Sequence, residues 1–355
     1  MSTVAEPTLV VDMGSSSTKI GFSAEDKPAS VFPTVTASYA RTVESIEHIS
    51  SDVMDSQIHL QRSHPIERGI VKDFDQVGKV WENIMADLNI SDTDNMSTLI
   101  TQTNRPGHEE RTKWAEMLFE TFHVPSWCMA SPAPLAMYAA GRTTGVVVEC
   151  GASLTCTTPV FDGFALSHAS NVMEFGGQDI TALIRKSLLD ANPDINFYDA
   201  KVIKEKLAFS KKQPKEQNPG VNKFELPDGT EIDVPYKVIS DATESLFVNN
   251  RFTPKGLSAQ VFDSLKLCDE LVLNDLCQNI IISGGTSMIE GLGDRLDRDL
   301  NEKFRADQAE KQRHGSLRFR DIQVLPSTQF REAGYTTQRK HAVWIGGRYI
   351  YICIS

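Results

Sequence analysis

One short plan occurs twice in this chain. Leu9-Val10-Val11-Asp12 is an apolar run ending in an acid, Gly14 follows within a Ser-rich turn, and Ser17 to Ser23 reads as the returning strand. Gly145-Val146-Val147-Val148-Glu149 repeats it, with Cys150-Gly151-Ala152-Ser153 as the turn and Leu154 to Phe161 as the return. Apolar runs bounded by Gly and Ser predict strands joined by tight turns. The copies lie a domain's length apart, which predicts an internal duplication with one hairpin in each half. A chain of 355 residues has room for two such domains.

Between the hairpins the spacing is mostly helical. Val77, Val80, Trp81, Ile84 and Leu88 predict a helix over Asp75–Leu88. His108–Phe122 is a second, stopped at Val124-Pro125, and Thr98–Thr101 is a strand. Ser131 as N-cap and Pro132 at the first position start a helix through Ala140. Further helices are expected over Asp179–Leu189, Ala200–Ser210 and Leu292–Phe304, the last with a charged, solvated face. Leu226–Gly229 turns a hairpin, and Asn279–Ser283 is a strand entering Gly284-Gly285-Thr286-Ser287. Ser38–Ser63 reads as an exposed insertion and Lys211–Asn222 as a polar loop. Trp81, Trp114 and Trp344 are expected in packing; Trp127 and Met129 fit either core or surface anchoring. The mixture predicts α/β layers in two lobes.

Charge and composition exclude several classes. The net charge is -11 and no long basic run occurs, so no direct nucleic-acid binding is expected. No apolar run has the length of a membrane helix, and Met1–Pro7 has no basic start of a secretory signal. None of the six cysteines forms a C-x-x-C pair, so free thiols in a reducing compartment are expected.

A nucleotide phosphate needs backbone N–H donors, close approach and a cation. Gly14 with Ser15, Ser16 and Ser17 offers the first, and Lys19 the charge. The second turn offers Gly151, Ser153 and Thr155. Gly284, Gly285 and Thr286 would let a base or sugar approach the backbone, because glycine has no Cβ. Asp12 and Glu149 are candidates to hold Mg²⁺ through water, since magnesium keeps several waters. One Gly turn is commonplace; three in this order point to a nucleotide.

At these residues the chain resembles actin and the actin-related proteins, along nearly its whole length. The matching stretches include Asp12-x-Gly14-Ser15 with Lys19-x-Gly21-Phe22, His64-Pro65-Ile66-Glu67-Arg68-Gly69, Gly141-Arg142-Thr143-Thr144-Gly145 and Lys204-Glu205-Lys206-Leu207. Ser283-Gly284-Gly285-Thr286 and Arg339-Lys340 with Trp344-Ile345-Gly346-Gly347 complete the set. The resemblance implies the actin fold: α/β, two RNase H-like lobes, four subdomains and a nucleotide cleft between the lobes. On that division, residues 1–139 with 340–355 form the first lobe, 34–63 being a reduced subdomain 2. Residues 140–339 form the second lobe, with subdomain 3 at 140–175 and 264–339 and subdomain 4 at 176–263. ATP or ADP with Mg²⁺ is implied. Asp12, Gly14, Ser15, Ser16, Lys19, Gly151 and Ser153 would lie about the phosphates and metal. Lys204, Glu205, Gly284, Gly285, Thr286 and Lys340 would surround adenosine.

The departures from the family bear on activity. Pro132 stands where actins have a Gln that orients the attacking water, a principal protein contribution to phosphoryl transfer. Ala152 replaces a polar residue, Cys156 a His, and Glu149 an Asp. Met13 and Ser16 stand for Asn and Gly, and Arg68 for His. Slow or absent hydrolysis is therefore expected, with no catalytic residue assigned. The stretch between Phe32-Pro33 and His64-Pro65 lacks actin's inserting loop. Phe247–Asp269 is short and lacks the apolar plug, and little chain follows Gly347. Head-to-tail filaments need matched faces, so F-actin-like filaments are not expected.

The implied role is a structural, scaffold subunit of a larger complex, with nucleotide as a stabilising ligand. Cytoskeletal, motor or axonemal, and chromatin-remodelling complexes all remain open. Partners would be other protein subunits, conventional actin or another actin-related protein among them, and no membrane. A cytoplasmic, cytoskeleton-associated location is expected, with the nucleus as alternative. The other reading is a divergent polymerising actin-like ATPase. Sugar kinases and Hsp70-type chaperones share the lobes but not the G-R-T-T-G and W-I-G-G stretches.

Overall fold

The computed structural model describes residues 8–39, 60–91, 96–102, 107–210, 220–250, 253–312, 322–326 and 333–350. Backbone contacts divide the chain into two units, Met1–Ala139 with His341–Ser355, and Ala140–Lys340.

In the first unit, strands β1 (Leu9–Met13), β2 (Ser17–Phe22), β3 (Ser30–Pro33), β4 (Ser97–Thr101) and β5 (Ser126–Ala130) form one sheet, in the order β3-β2-β1-β4-β5. β1 is antiparallel to β2 and parallel to β4. Successive side chains of a strand point to opposite faces, and here both faces are covered. Leu9, Val11 and Ile100 pack with Val77, Val80, Trp81 and Ile84 of helix α1 (Phe74–Asp87). Asp73 starts α1 by accepting from the Gln76 N–H at 3.1 Å. On the other face, a Cβ on Gly347 would lie against Val10 and Leu99.

Helix α2 (His108–Glu116) ends in a π turn, Met117–Thr121, where one regular helix was expected. Helix α3 (Pro132–Ala139) has Pro132 at its first position. Its partner is the short helix Ala342–Gly347, whose Gly346 lies so close to the Leu135 carbonyl that a Cβ would overlap it. The Trp344 indole N–H, fully buried, donates to the Val10 carbonyl at 3.0 Å. Trp127 and Met129 pack half-buried beside the first core, Trp127 edge-on to Phe119.

The second unit repeats the sheet plan. β6 (Gly145–Cys150), β7 (Thr155–Phe161), β8 (Phe164–Ala165), β10 (Ile280–Ser283) and β11 (Val324–Leu325) run in the order β8-β7-β6-β10-β11, with β9 (Asn171–Met173) also on β7. β6 is antiparallel to β7 and parallel to β10. The register repeats as well: Asp12 faces Lys19 in one hairpin, and Glu149 faces Cys156 in the other. The duplication read from sequence is thus present in the pairing.

Helices α4 (Gly177–Leu188), α5 (Phe197–Leu207), α6 (Tyr236–Glu244), α7 (Leu257–Lys266), α8 (Glu270–Cys277) and α9 (Leu292–Gln312) pack around that sheet. α5 ends before the expected Ser210, because Ala208 is extended and Phe209 bridges to Glu290. The expected solvated α9 is corrected. Leu292, Leu296, Leu300 and Phe304 form a buried stripe with a repeat of four, and Arg295 is only 5% exposed. Arg295 is paired there, bidentate on Glu244 at 2.7 and 2.8 Å and on Asp299 at 2.8 Å. The charged composition of this helix masks its apolar side.

The ends of the expected insertion, Thr36–Tyr39 and Leu60–Ser63, pair antiparallel. Residues 40–59 and 211–219 lie outside the described residues. Val221–Glu225 and Glu231–Pro235 form the expected hairpin.

Candidate functional site

In the first unit the site begins at the β1–β2 turn. The Gly14 N–H donates to the Ser17 carbonyl at 3.1 Å. It closes the turn. Ser15, Ser16 and Ser17 are half-buried around it. Asp12 at the strand end accepts from Thr101 Oγ1 at 2.7 Å and pairs with Lys19 Nζ at 3.1 Å. Lys19 Nζ also donates to the Ser17 carbonyl at 3.4 Å. The ammonium therefore lies at the turn, with one of its three donors beyond these two contacts. A Cβ on Gly14 would sit 3.2 Å from Ser17 O and 3.8 Å from Lys19 Nζ. This combination of a bare backbone, three hydroxyls and a held cation suits a phosphate.

The second turn makes the same closure, Gly151 N–H to Leu154 carbonyl at 2.8 Å. Around it the structure ties a knot of three further elements. The Gly151 carbonyl accepts from the Gly177 N–H at 3.0 Å and from Thr286 Oγ1 at 2.7 Å. The Ala152 carbonyl accepts from the Gln178 N–H at 2.7 Å. Two of the N–H groups that a helix start leaves without intrahelical partners are thus engaged by the turn. Lys204 Nζ donates to the Gly177 carbonyl at 2.8 Å. Burial, only partly countered by Glu205, pushes this ammonium down to about 8.

Gly177 was not singled out from sequence. A Cβ there would collide with Thr286 Oγ1 and lie 3.2 Å from Lys204 Nζ. Its signal was the Gly176-Gly177 pair ahead of a helical pattern.

The adenosine set divides. Lys204 and Thr286 join the knot. Gly284 (φ 85°) has its Cβ position filled by the Cys150 carbonyl, so it shapes the turn. Gly285 is exposed, with open space beside it. Lys340 is exposed, and Glu205 is largely exposed, 3.9 Å from Lys201. The residue that holds the 284–287 turn is Arg339, missed from sequence. Its guanidinium donates to the Ser287 carbonyl at 3.0 and 3.3 Å, and its carbonyl accepts from the Gly284 N–H.

Beside this turn Cys150 is fully buried, and burial, with Glu149, pushes its thiol up to about 12. Ser153 is buried and Glu149 and Cys156 are half-buried. Asp12 and Glu149 belong to different units. Among the described residues no group of three or more His, Cys, Asp or Glu is placed to hold a metal. Pro132 is buried at the start of α3 and offers no side-chain hydrogen bond. No helix among the described residues is long and apolar enough to cross a membrane.

A protein-family model described as Actin matches residues 4–220 and 200–350.

Proposed function

The chain belongs to the actin family, and from that premise we propose that it is a structural subunit of a larger protein complex, holding ATP or ADP with Mg²⁺ and hydrolysing ATP slowly or not at all. Lys19 and the Ser15–Ser16 turn would hold the phosphates, with Asp12 fixing the ammonium. Gly284, Gly285 and Thr286 would meet the sugar and base, and Lys204 the second turn beside them. Mg²⁺ would supply charge neutralisation for the phosphates, and Asp12 and Glu149 are the residues that would hold it through water.

The observation that carries this reading is Pro132. It fills the first position of α3, where the family's water-orienting Gln would stand, and has no group to hold a water. Ala152 and Cys156 remove further polarity from the second turn. A ligand that binds only the folded chain stabilises it by mass action without turnover. The reduced contact stretches favour assembly with other protein subunits over F-actin-like filaments. A cytoplasmic, cytoskeleton-associated setting fits best.

The test is to denature the purified protein and separate the released nucleotide. Intact ATP at about one per chain supports the reading. ADP means that turnover survives without a Gln at 132, and an empty site means that the fold serves partner binding alone. The competing reading, a polymerising ATPase, is favoured by the intact first turn. A concentration-dependent pellet in Mg-ATP would establish it.

A further inference from the structure

We propose that the α7–α8 corner is a docking surface for a basic, apolar-faced segment of a partner protein. Leu271 is the most exposed large apolar side chain among the described residues, at 90%, and Leu267 beside the end of α7 is 56% exposed. Neither is needed for packing. Both helices are anchored from beneath by Val261, Leu265, Leu273 and Leu276. The two leucines therefore stand on a rigid base, which lowers the ordering cost of association.

The charge around them selects the occupant. Asp269 caps α8, its Oδ1 accepting from the Leu271 N–H at 2.8 Å, and is exposed. Glu270 and Asp275 are exposed on the same helix, Asp275 one turn beyond Leu271. Two cations of α7 and its approach are already paired. Lys266 lies 3.1 Å from Asp307 and over the Phe262 ring, and Lys255 lies 2.5 Å from Asp263. The corner thus presents two leucines with three exposed carboxylates, Asp269, Glu270 and Asp275, on the same stretch of chain. Opposite charge steers a partner onto such a surface. A complementary segment presents Leu, Met or Phe toward Leu267 and Leu271, with Lys or Arg alongside. In an isologous pair a second copy of this chain would bring the same carboxylates against themselves. The patch is small, so one such contact is weak and transient. This surface does not depend on nucleotide, and its failure would leave the nucleotide reading untouched.

The test uses the full chain and a fluorescein-labelled synthetic helix with leucine on one face and lysine on the other, titrated by fluorescence anisotropy. Binding is expected, weakening as salt rises. Leu267→Asn with Leu271→Asn should weaken it about tenfold or more. Asp269→Asn, Glu270→Gln and Asp275→Asn together should weaken it too, and flatten the salt dependence. The same helix with glutamate for lysine should not bind. Circular dichroism and thermal midpoints should match wild type, since these side chains are exposed. Equal binding by wild type and the leucine variant would overturn the proposal, because the attraction would then be to net charge alone. So would a wild-type dimer in sedimentation equilibrium that the leucine variant turns into monomer.

Discussion

Lys19 Nζ sits 3.1 Å from the Asp12 carboxylate across the β1–β2 pair, and neither side chain is more than 14% exposed. Asp12 thereby fixes the cation that the first turn offers. Lys19→Met keeps the aliphatic stem but leaves the carboxylate facing only Thr101. Removing one partner of a largely buried pair costs about 3 kcal/mol. The variant should melt earlier, read by calorimetry, and on the proposed function it should also lose nucleotide on gel filtration, read by absorbance of the released base.

Pro132→Gln restores a side chain that can hold a water, at a position where proline only starts the helix. Loss of the proline's preset φ should cost about 0.4–1 kcal/mol. On the proposed function, phosphate release should rise above wild type, and the nucleotide recovered from the variant should shift toward ADP. An unchanged rate would mean that Pro132 is not what limits hydrolysis.

Lys204 gives a pH signature. Its pKa falls from 10.5 in the free side chain to about 8 in the fold. Between these values the unfolded chain binds more protons than the native one, so this residue's contribution makes stability rise with pH. Below about 8 the penalty is full and constant, and above about 10.5 it is gone. The unfolding free energy of wild type minus that of Lys204→Met should therefore climb from about pH 8 to about pH 10.5, in urea titrations at several pH values. A flat difference would mean that Lys204 is better solvated than its burial indicates.

Gly177→Ala should destabilise by about 1–3 kcal/mol, because the added methyl meets Thr286 Oγ1. Thr286→Ala gives up the 2.7 Å bond to the Gly151 carbonyl but opens that space. The two changes together should cost less than their sum, as expected for residues in contact. Urea unfolding of the four proteins measures the coupling.

Arg295→Met should be among the most damaging changes in the second unit. It leaves Glu244 and Asp299 facing each other without their shared cation. A loss of about 3–5 kcal/mol is expected, seen as a lower denaturant midpoint. Glu244→Gln, which keeps a hydrogen-bond acceptor, should cost less.

What the sequence revealed follows from how local each signal is. The two hairpins are short-range patterns, and their turns, strands and even the facing of Asp12 with Lys19 lie within a few residues of one another. Helix α1 was legible because its apolar stripe is local too. The knot at the second turn was not, since it gathers Gly151, Gly177, Lys204 and Thr286 from four separate segments. Arg339 stayed hidden beside the more obvious Lys340, because only the fold decides which of two adjacent cations turns inward. In α9 the charges outnumbered the apolar residues, and the pairing that lets Arg295 be buried comes from α6, far away in sequence.

Trp344 on Val10 has a consequence for how the protein is made. The ribosome emits residues 8–139 first, then all of the second unit, and only then the helix that bears Trp344, Gly346 and Gly347. The second unit is one unbroken run and can condense as soon as it has emerged, as domains do during synthesis. The first unit is begun earliest and finished last. Until its closing helix arrives, the sheet face bearing Val10 and Leu99 lacks the cover that Trp344 and Gly347 give it, through the whole translation of its neighbour.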